Sequence, residues 1–401
     1  MLRREWMKSA VAAALAVPLL MVAGAGRAAE VGVTDATIKI GILSSLTGPG
    51  ALFGSGNEAG AVMAFEEVNA AGGINGRKLE WVSLDDETSP PKAIIAFRRL
   101  VDQEKVFAVY GPSASAIAQA LVPSFKQAAQ VPVFIGVPSS PSVTHPLIPN
   151  VFRTGPINDL AQGVALADYV LDNLKAKKIA IIRQTDEYGK RGAEGFLSRL
   201  KERNAVAVEQ VFGIADTDFT AQVASIAKTE PDVLIIYGYP NPSALITRQA
   251  RQFGMKATIV GSNAANSRVY PQVVGNAAIG AQNIITFEDL PESGMDPRMV
   301  RFRDAYAKRF PEYARQNRPD LADTLAYGSA QAFIEGLKRA GKNLTRPGFI
   351  AALETLNKFE TGITLPTTFT AKDHEGNKSS KIFQIQEDLT RKLLPTTIQT
   401  K

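Results

Sequence analysis

Cysteine is absent from this chain, and histidine occurs only at His145 and His374. Without a thiol there is no disulfide, no thiolate nucleophile and no sulfur ligand. Two histidines this far apart in sequence do not make a histidine-rich metal site either. No G-x-S-x-G elbow occurs to present a nucleophilic serine, so acyl-transfer chemistry has no support. Internal repeats, low-complexity tracts and long Pro/Ser linkers are also missing. After the N-terminus no apolar run is long enough to cross a bilayer.

What is present suits a soluble globular protein: 401 residues, 45% hydrophobic and 21% charged. That is too long for one ordinary core, so two lobes are expected. The first 28 residues differ from the rest. Arg3, Arg4 and Lys8 precede an Ala-rich apolar run from Ala10 to Ala25, then the small residues Gly26 and Ala28. This reads as a signal peptide, residues 1–28, and its shortness and Pro18 argue against a membrane anchor. The opening Arg3-Arg4-Glu5-Trp6-Met7-Lys8 looks like a twin-arginine signal, with an ordinary secretory leader as the alternative. Either route leads to the periplasm. Cleavage after Ala28 removes four positive charges and Glu5, so the formal charge of +6 falls to +3. A mildly basic protein of this kind gives no reason to expect nucleic acid as a partner.

From Thr37 onward, short β-branched runs alternate with helical patterns, the signature of an α/β fold with parallel sheets covered by helices. Strands are predicted at 37–43, 78–84, 106–110, 132–135, 178–183, 206–212, 232–236 and 258–260. Ala61, Ala64, Phe65 and Val68 form one apolar helix face, and Ala193, Phe196, Leu197 and Leu200 another. After Ala281, helices are expected to follow one another, around Met299, Phe302, Tyr306 and Phe310 and then Ala326, Ala330, Phe333 and Leu337. Thr367 to Leu394 is predicted to be strand-like with a turn at 373–377. With no linker between the lobes, the chain is expected to cross between them more than once.

The glycines from Gly48 to Gly60 follow the first strand, but too far from its end for a dinucleotide fingerprint, and read instead as a loop whose tip lies over a cleft. Asp85, Asp86 and Glu87 read as a solvated strand end, with a divalent-cation site as the weaker alternative. More informative is Gly111-Pro112-Ser113-Ala114-Ser115, which joins a strand to a helix and sets Ser115 at the predicted N-cap. A helix start offers unpaired N–H groups and a favourable dipole to an anion; a serine that merely caps its own helix is the competing reading. A second donor loop, Val137-Pro138-Ser139-Ser140, follows the next strand. Loops at the carboxyl ends of neighbouring parallel strands face one crevice.

At these loops the sequence resembles the branched-chain amino-acid (leucine/isoleucine/valine) binding proteins of ABC importers, the type I periplasmic binding fold. The resemblance extends over Leu46-Thr47-Gly48-Pro49, Phe53-Gly54, 69–76, Asp85-Asp86, 90–93, Arg153-Thr154, Gln162-Gly163, 186–189, Asp218-Phe219-Thr220, Arg248-Gln249-Ala250 and Tyr327. It implies two Rossmann-like lobes joined by three hinge crossovers near Ile157, Thr286 and Thr361, with 29–157 and 287–361 in the N-terminal lobe and 158–286 and 362–401 in the C-terminal lobe. It further implies a monomeric carrier without cofactor or enzymatic activity, whose partners are a small-molecule solute and a membrane permease. Ser115 and Ser139 correspond to hydroxyl residues that hold a ligand carboxylate, assisted by backbone groups near Ser113 and Val137. Phe53 and Tyr188 correspond to aromatics that cover the ligand, and Tyr239 lies one residue from a third.

Asn263 departs from the pattern, falling where amino-acid binders place the acid that pairs with the ligand's ammonium. An amide does not supply that charge. The solute is therefore expected to be a small carboxylate-bearing compound: an amino acid if Asp186, Glu187, Asp159 or Asp323 substitutes, otherwise an aromatic or keto acid. An amide or urea-like ligand held by Asn263 is the next possibility. A solute sensor of the same fold is the alternative function. The basic residues Arg298, Arg301, Arg303, Lys308, Arg309, Arg315 and Arg318 read as a solvated helix face, with permease docking as the second reading.

Overall fold

A computed structural model describes residues 30–265, 267–286 and 296–399. The expected signal peptide, residues 1–28, lies outside the described residues. Among the described residues no helix is long and apolar enough to cross a membrane.

The first sheet holds β1 (Thr37–Ser44), β2 (Lys78–Asp85), β3 (Ala108–Tyr110), β4 (Val133–Ile135) and β5 (Val151–Arg153) in the order β2-β1-β3-β4-β5, all parallel. Helices α1 (Ala51–Ala70), α2 (Pro90–Asp102) and α3 (Ser115–Gln127) follow β1, β2 and β3. Every residue of β3, β4 and β5 is buried, as parallel strands covered on both faces must be. Alternation along the strands divides the packing. Tyr110 and Phe134 join one core, while Val109, Val133 and Ile135 join the other with Phe97, Leu121 and Phe125 of α2 and α3.

The chain then enters a second sheet through α4 (Asp159–Asp172). It contains β6 (Ile179–Gln184), β7 (Ala207–Phe212), β8 (Val233–Tyr237), β9 (Thr258–Gly261), β10 (Gln282–Ile285), β11 (Ser379–Ile385) and β12 (Arg391–Gln399), in the order β12-β11-β10-β9-β8-β6-β7. Only the β10-β11 and β11-β12 pairs are antiparallel. Helices α5 (Glu187–Glu202), α6 (Thr220–Ala227), α7 (Pro240–Gln252) and α8 (Val269–Val274) connect the parallel strands.

Between β10 and β11 come α9 (Pro297–Arg309), α10 (Pro311–Ala314), α11 (Leu321–Ala340) and α12 (Arg346–Leu353). They return to the first sheet: α11 packs on α1 and α12 on α11, and Phe333 of α11 contacts Phe65, Tyr110 and Phe134. The chain thus passes between the sheets after β5, after β10 and after α12.

Three expectations need correction. The glycines from Gly54 to Gly60 lie inside α1 rather than in a loop: Gly54 makes room for the Ser45 backbone, and Gly56 and Gly60 let α11 approach closely. A Cβ at Gly60 would stand 2.3 Å from the Asp323 carbonyl oxygen. The predicted turn at 373–377 precedes the final hairpin, whose own turn lies between Ile385 and Arg391. Strands β5 and β10 were not predicted. The basic helical region also divides: Arg318 is buried, with an ion pair to Asp323 at 2.5 Å and its guanidinium 3.9 Å from the centre of the Tyr313 ring.

A buried ion pair fastens the first passage to the last. Arg153, at the end of β5, lies 2.5 Å from Glu375 on the segment leading into β11, and both side chains are excluded from solvent. Glu375 also accepts hydrogen bonds from the Asn158 backbone at 3.1 Å and from its side chain at 3.0 Å, and His145 lies 2.7 Å away. Burial alone would raise the Glu375 carboxyl, but Arg153, His145, Lys378 and Asn158 outweigh it and hold the group well below the usual carboxylate range. We therefore expect Glu375→Ala, which strands the Arg153 charge, to lower unfolding stability by about 3–5 kcal/mol in urea titrations at pH 7. The loss should shrink as pH falls below the ordinary glutamate value of 4.5, because the unfolded wild-type chain then takes up a proton that the native carboxylate, held lower, does not.

Candidate functional site

Parallel strands end in loops on one edge of their sheet, and here the carboxyl edges of the two sheets face each other. The cleft between them is nearly shut: about 20 Å³ remains, little more than one water molecule needs. All eight candidate residues line it. The first lobe contributes Phe53, Ser113, Ser115, Val137 and Ser139; the second contributes Tyr188, Tyr239 and Asn263. Ala114, Pro138, Ala264 and Leu321 complete the wall. Larger depressions of about 440 and 330 Å³ lie around Arg268, Arg303 and Asn317, away from the strand ends.

The loop after β3 begins at Gly111, whose φ of +117° and approach to β1 exclude a side chain, since a Cβ there would meet the Leu43 carbonyl oxygen at 2.1 Å. Ser113 Oγ accepts the Ser45 N–H at 3.0 Å, which ties the loop to the end of β1. Its hydroxyl hydrogen remains available to the cleft. Ser115 is not the N-cap. Ala114 holds that position in extended conformation, and Ser115 is the first helical residue. The difference matters because alanine offers no capping oxygen. Among the described residues the first N–H groups of α3 therefore have no side-chain cap, and these are the groups that bind anions at helix starts.

Ser115 Oγ instead accepts the Ser139 N–H at 3.3 Å, joining the loops after β3 and β4. Ser139 in turn reaches across the first passage: its Oγ donates to Asp159 Oδ1 at 2.5 Å and its carbonyl accepts the Asp159 N–H at 2.8 Å. Asp159 is wholly buried, and the Ser115 hydroxyl also acts on its carboxyl. Burial pushes its carboxyl up to about 8, with Ser139 and Arg153 opposing and Asp186 adding to the rise.

On the second lobe, Asp186 caps α5 by accepting the Gly189 N–H at 3.1 Å, and so sets Tyr188 in the first helical turn. Tyr188 is buried rather than exposed. Its hydroxyl donates to Asn263 Oδ1 at 2.8 Å and accepts the Ala264 N–H at 3.2 Å. Tyr239 opens α7, and its N–H donates to Gln184 Oε1 at 3.0 Å. The Phe53 and Tyr239 rings meet across the cleft with centroids 4.7 Å apart. Burial raises the Tyr188 and Tyr239 hydroxyls well above the usual phenol value, so both remain protonated donors.

Of the four acids proposed as stand-ins for Asn263, two are paired with arginines, and two, Asp159 and Asp186, bond to the wall residues Ser139 and Tyr239. Glu187 pairs with Arg191 at 2.7 Å, Asp323 with Arg318, and Asp186 with Gln184, Gly189 and Tyr239. Asp85 and Asp86 are not a solvated strand end. Asp86 is buried and accepts from Ser45 Oγ and the Thr88 N–H, while Asp85 accepts the Leu46 and Glu87 N–H groups, so together they hold the loop after β1. Sequence reasoning missed Gln162 as the group that holds Asn263, at 2.7 Å through its side-chain amide. It also missed Leu321 in the wall, for which spacing gives no signal.

Between the ordinary aspartate value of 3.8 and about 8, native Asp159 retains a proton that the unfolded chain has lost. Stability should therefore fall as pH rises through that window, by about 1.4 kcal/mol per pH unit at most. Asp159→Asn removes the dependence. The variant is expected to match the wild type near pH 4 and to exceed it by roughly a few kcal/mol at pH 8 in urea titrations. A difference that did not grow with pH would show the native carboxyl to be ionised.

Comparison with known proteins agrees with this architecture. Residues 37–390 match the family model described as periplasmic binding protein. The Leu/Ile/Val-binding protein homolog 3 of Brucella melitensis is 30% identical over 332 residues, 82% of this chain and 86% of that protein. The branched-chain amino-acid transporter substrate-binding protein LivJ of Streptococcus pneumoniae, solved with isoleucine, superposes with a TM-score of 0.76 at 28% identity, covering 89% of this chain and 99% of that one. The fatty acid ABC transporter substrate-binding protein of Thermomonospora curvata shares the fold, with a TM-score of 0.79 at 24% identity over 93% and 95% of the two chains. With its two facing α/β lobes and the cleft between them, this chain belongs to the periplasmic binding protein family, in the group of the leucine/isoleucine/valine-binding proteins.

Proposed function

We propose that this protein is the extracytoplasmic receptor of an ABC importer, and that it holds a small carboxylate-bearing solute between its lobes and delivers it unchanged to a membrane permease. The observation that carries the reading is the start of α3. Its N–H groups have no side-chain cap, and Ser113, Ser115 and Ser139 surround it at the wall of the cleft. A carboxylate seated there receives backbone and hydroxyl donors together with the helix dipole. Phe53 and Tyr188 cover the solute from opposite lobes, and Tyr239 closes on Phe53.

Lobes 29–157 with 287–361, and 158–286 with 362–401, move as two bodies about the passages near Ile157, Thr286 and Thr361. Closure buries the solute and creates the shape that the permease reads. The mature chain begins after Ala28, and works as a monomer in the periplasm. That relatives bear the names of branched-chain amino-acid binding proteins supports a carboxylate as an element of the ligand.

A thermal-shift screen of small carboxylates tests this reading. A solute at 100 times its Kd stabilises the native state by about 2.7 kcal/mol, a clear rise in Tm. At least one carboxylate is expected to give that shift, and Ser115→Ala to abolish it while the unliganded variant keeps the wild-type Tm within a few degrees. An equal shift in the variant removes the assignment of the anion site. Small-angle scattering should show compaction with the same solute.

A further inference from the structure

We infer that the cleft selects a carboxylate without an amine, one that carries a second oxygen acceptor as a 2-oxo acid does, because Asn263 is locked with its NH2 group as the free one. The inference rests on the proposed anion site at Ser115 and extends it to the other end of the solute.

The lock follows from donor and acceptor counting. The backbone N–H of Asn263 can only donate, and it donates to the Gln162 side chain at 3.1 Å, so that atom of Gln162 is oxygen. The other end of the Gln162 amide is then Nε2, and it lies 2.7 Å from the side chain of Asn263, where it requires an acceptor. Tyr188 is consistent with this answer. Its hydroxyl oxygen accepts the Ala264 N–H, and its single hydrogen points to the same atom of Asn263 at 2.8 Å. Two donors converge on one atom, which must be Oδ1. Turning the amide over would set NH2 against NH2 and lose both bonds.

The Nδ2 of Asn263 makes no hydrogen bond among the described residues, and the residue lines the cleft. It therefore offers two N–H donors to whatever is bound. An ammonium has three donors and no acceptor, so it repels this group and gains nothing from it. No residue of the cleft wall itself is charged; the carboxyls behind it, Asp159 and Asp186, are already hydrogen-bonded to Ser139 and Tyr239, and burial raises both, which disfavours the charge an ammonium needs. A carboxylate is matched at α3, whereas a buried ammonium opposite it would be unpaired. A carbonyl oxygen in its place accepts from Asn263 and completes the network.

Calorimetry on the mature protein, purified free of solute, tests this with pairs that differ only at the second group: leucine and 4-methyl-2-oxopentanoate, phenylalanine and phenylpyruvate, alanine and pyruvate. In at least one pair the oxo acid is expected to bind tenfold or more tightly than the amino acid. Asn263→Asp should weaken that oxo acid at least tenfold and bring the amino acid closer to it, with Tm measured to confirm that the variant is folded. The wild-type comparison stands alone if it is not. An amino acid that binds as tightly as its oxo acid, or no binding by any oxo acid, overturns the inference. If amino acids bind and Ser115→Ala abolishes that binding, only the present inference fails; if the binding is indifferent to Ser115→Ala, or nothing in either series binds, the anion site fails with it.

Discussion

Two parallel sheets present their carboxyl edges to one another, and each polar group of the cleft is where it is because a parallel strand ends beside it. Ser113 and Ser115 follow β3, Ser139 follows β4, Tyr188 follows β6, Tyr239 follows β8 and Asn263 follows β9. A parallel strand cannot turn back on itself, so it must pass into a loop and then a helix at that edge. The loops are therefore rigidly based and close to helix starts. The chemistry of the site is a consequence of this geometry, in which backbone N–H groups supply much of the polarity and side chains adjust it.

The adjustment is made by a chain of hydrogen bonds that crosses from one lobe to the other. Ser115 accepts from Ser139, Ser139 donates to Asp159, and Asp159 begins α4. The Arg153–Glu375 pair lies on the same passage and binds it to the returning segment. A polar link and an ionic one thus meet where the chain first leaves the first sheet, within a few residues of the cleft wall. Both are buried, so each group depends on its partner to offset lost hydration.

Much of this was legible in the amino-acid order, and what was not has physical reasons. Strands such as β1 and β8 are β-branched runs of five or more residues, which periodicity detects. By contrast β5 has three residues, Val151-Phe152-Arg153, and β10 begins with Gln282 and Asn283; both owe their state to neighbours in the sheet rather than to their own preference. Gly56 and Gly60 of α1 look like loop residues because their role is contact with α11, some 260 positions away in the chain. Ser115 was misplaced by a single position, which is the ordinary uncertainty of a helix boundary but decides whether a hydroxyl caps its own helix or faces the cleft. The identity of eight of the twelve wall residues could be taken from motif order, but not the bonds among them. Gln162, Tyr188 and Asn263 are 75 to 101 positions apart where they bond, and no spacing rule connects them.

The Phe53–Tyr239 contact separates two properties of a carrier that are often treated as one. The rings belong to opposite lobes and touch each other at the wall of the cleft, whereas the uncapped start of α3 lies on the first lobe alone. One feature can match the charge of a guest and the other can hold the door shut. Because both rings also line the cleft, exchanging one would alter escape and affinity together, while the charge match at the helix stayed as it is.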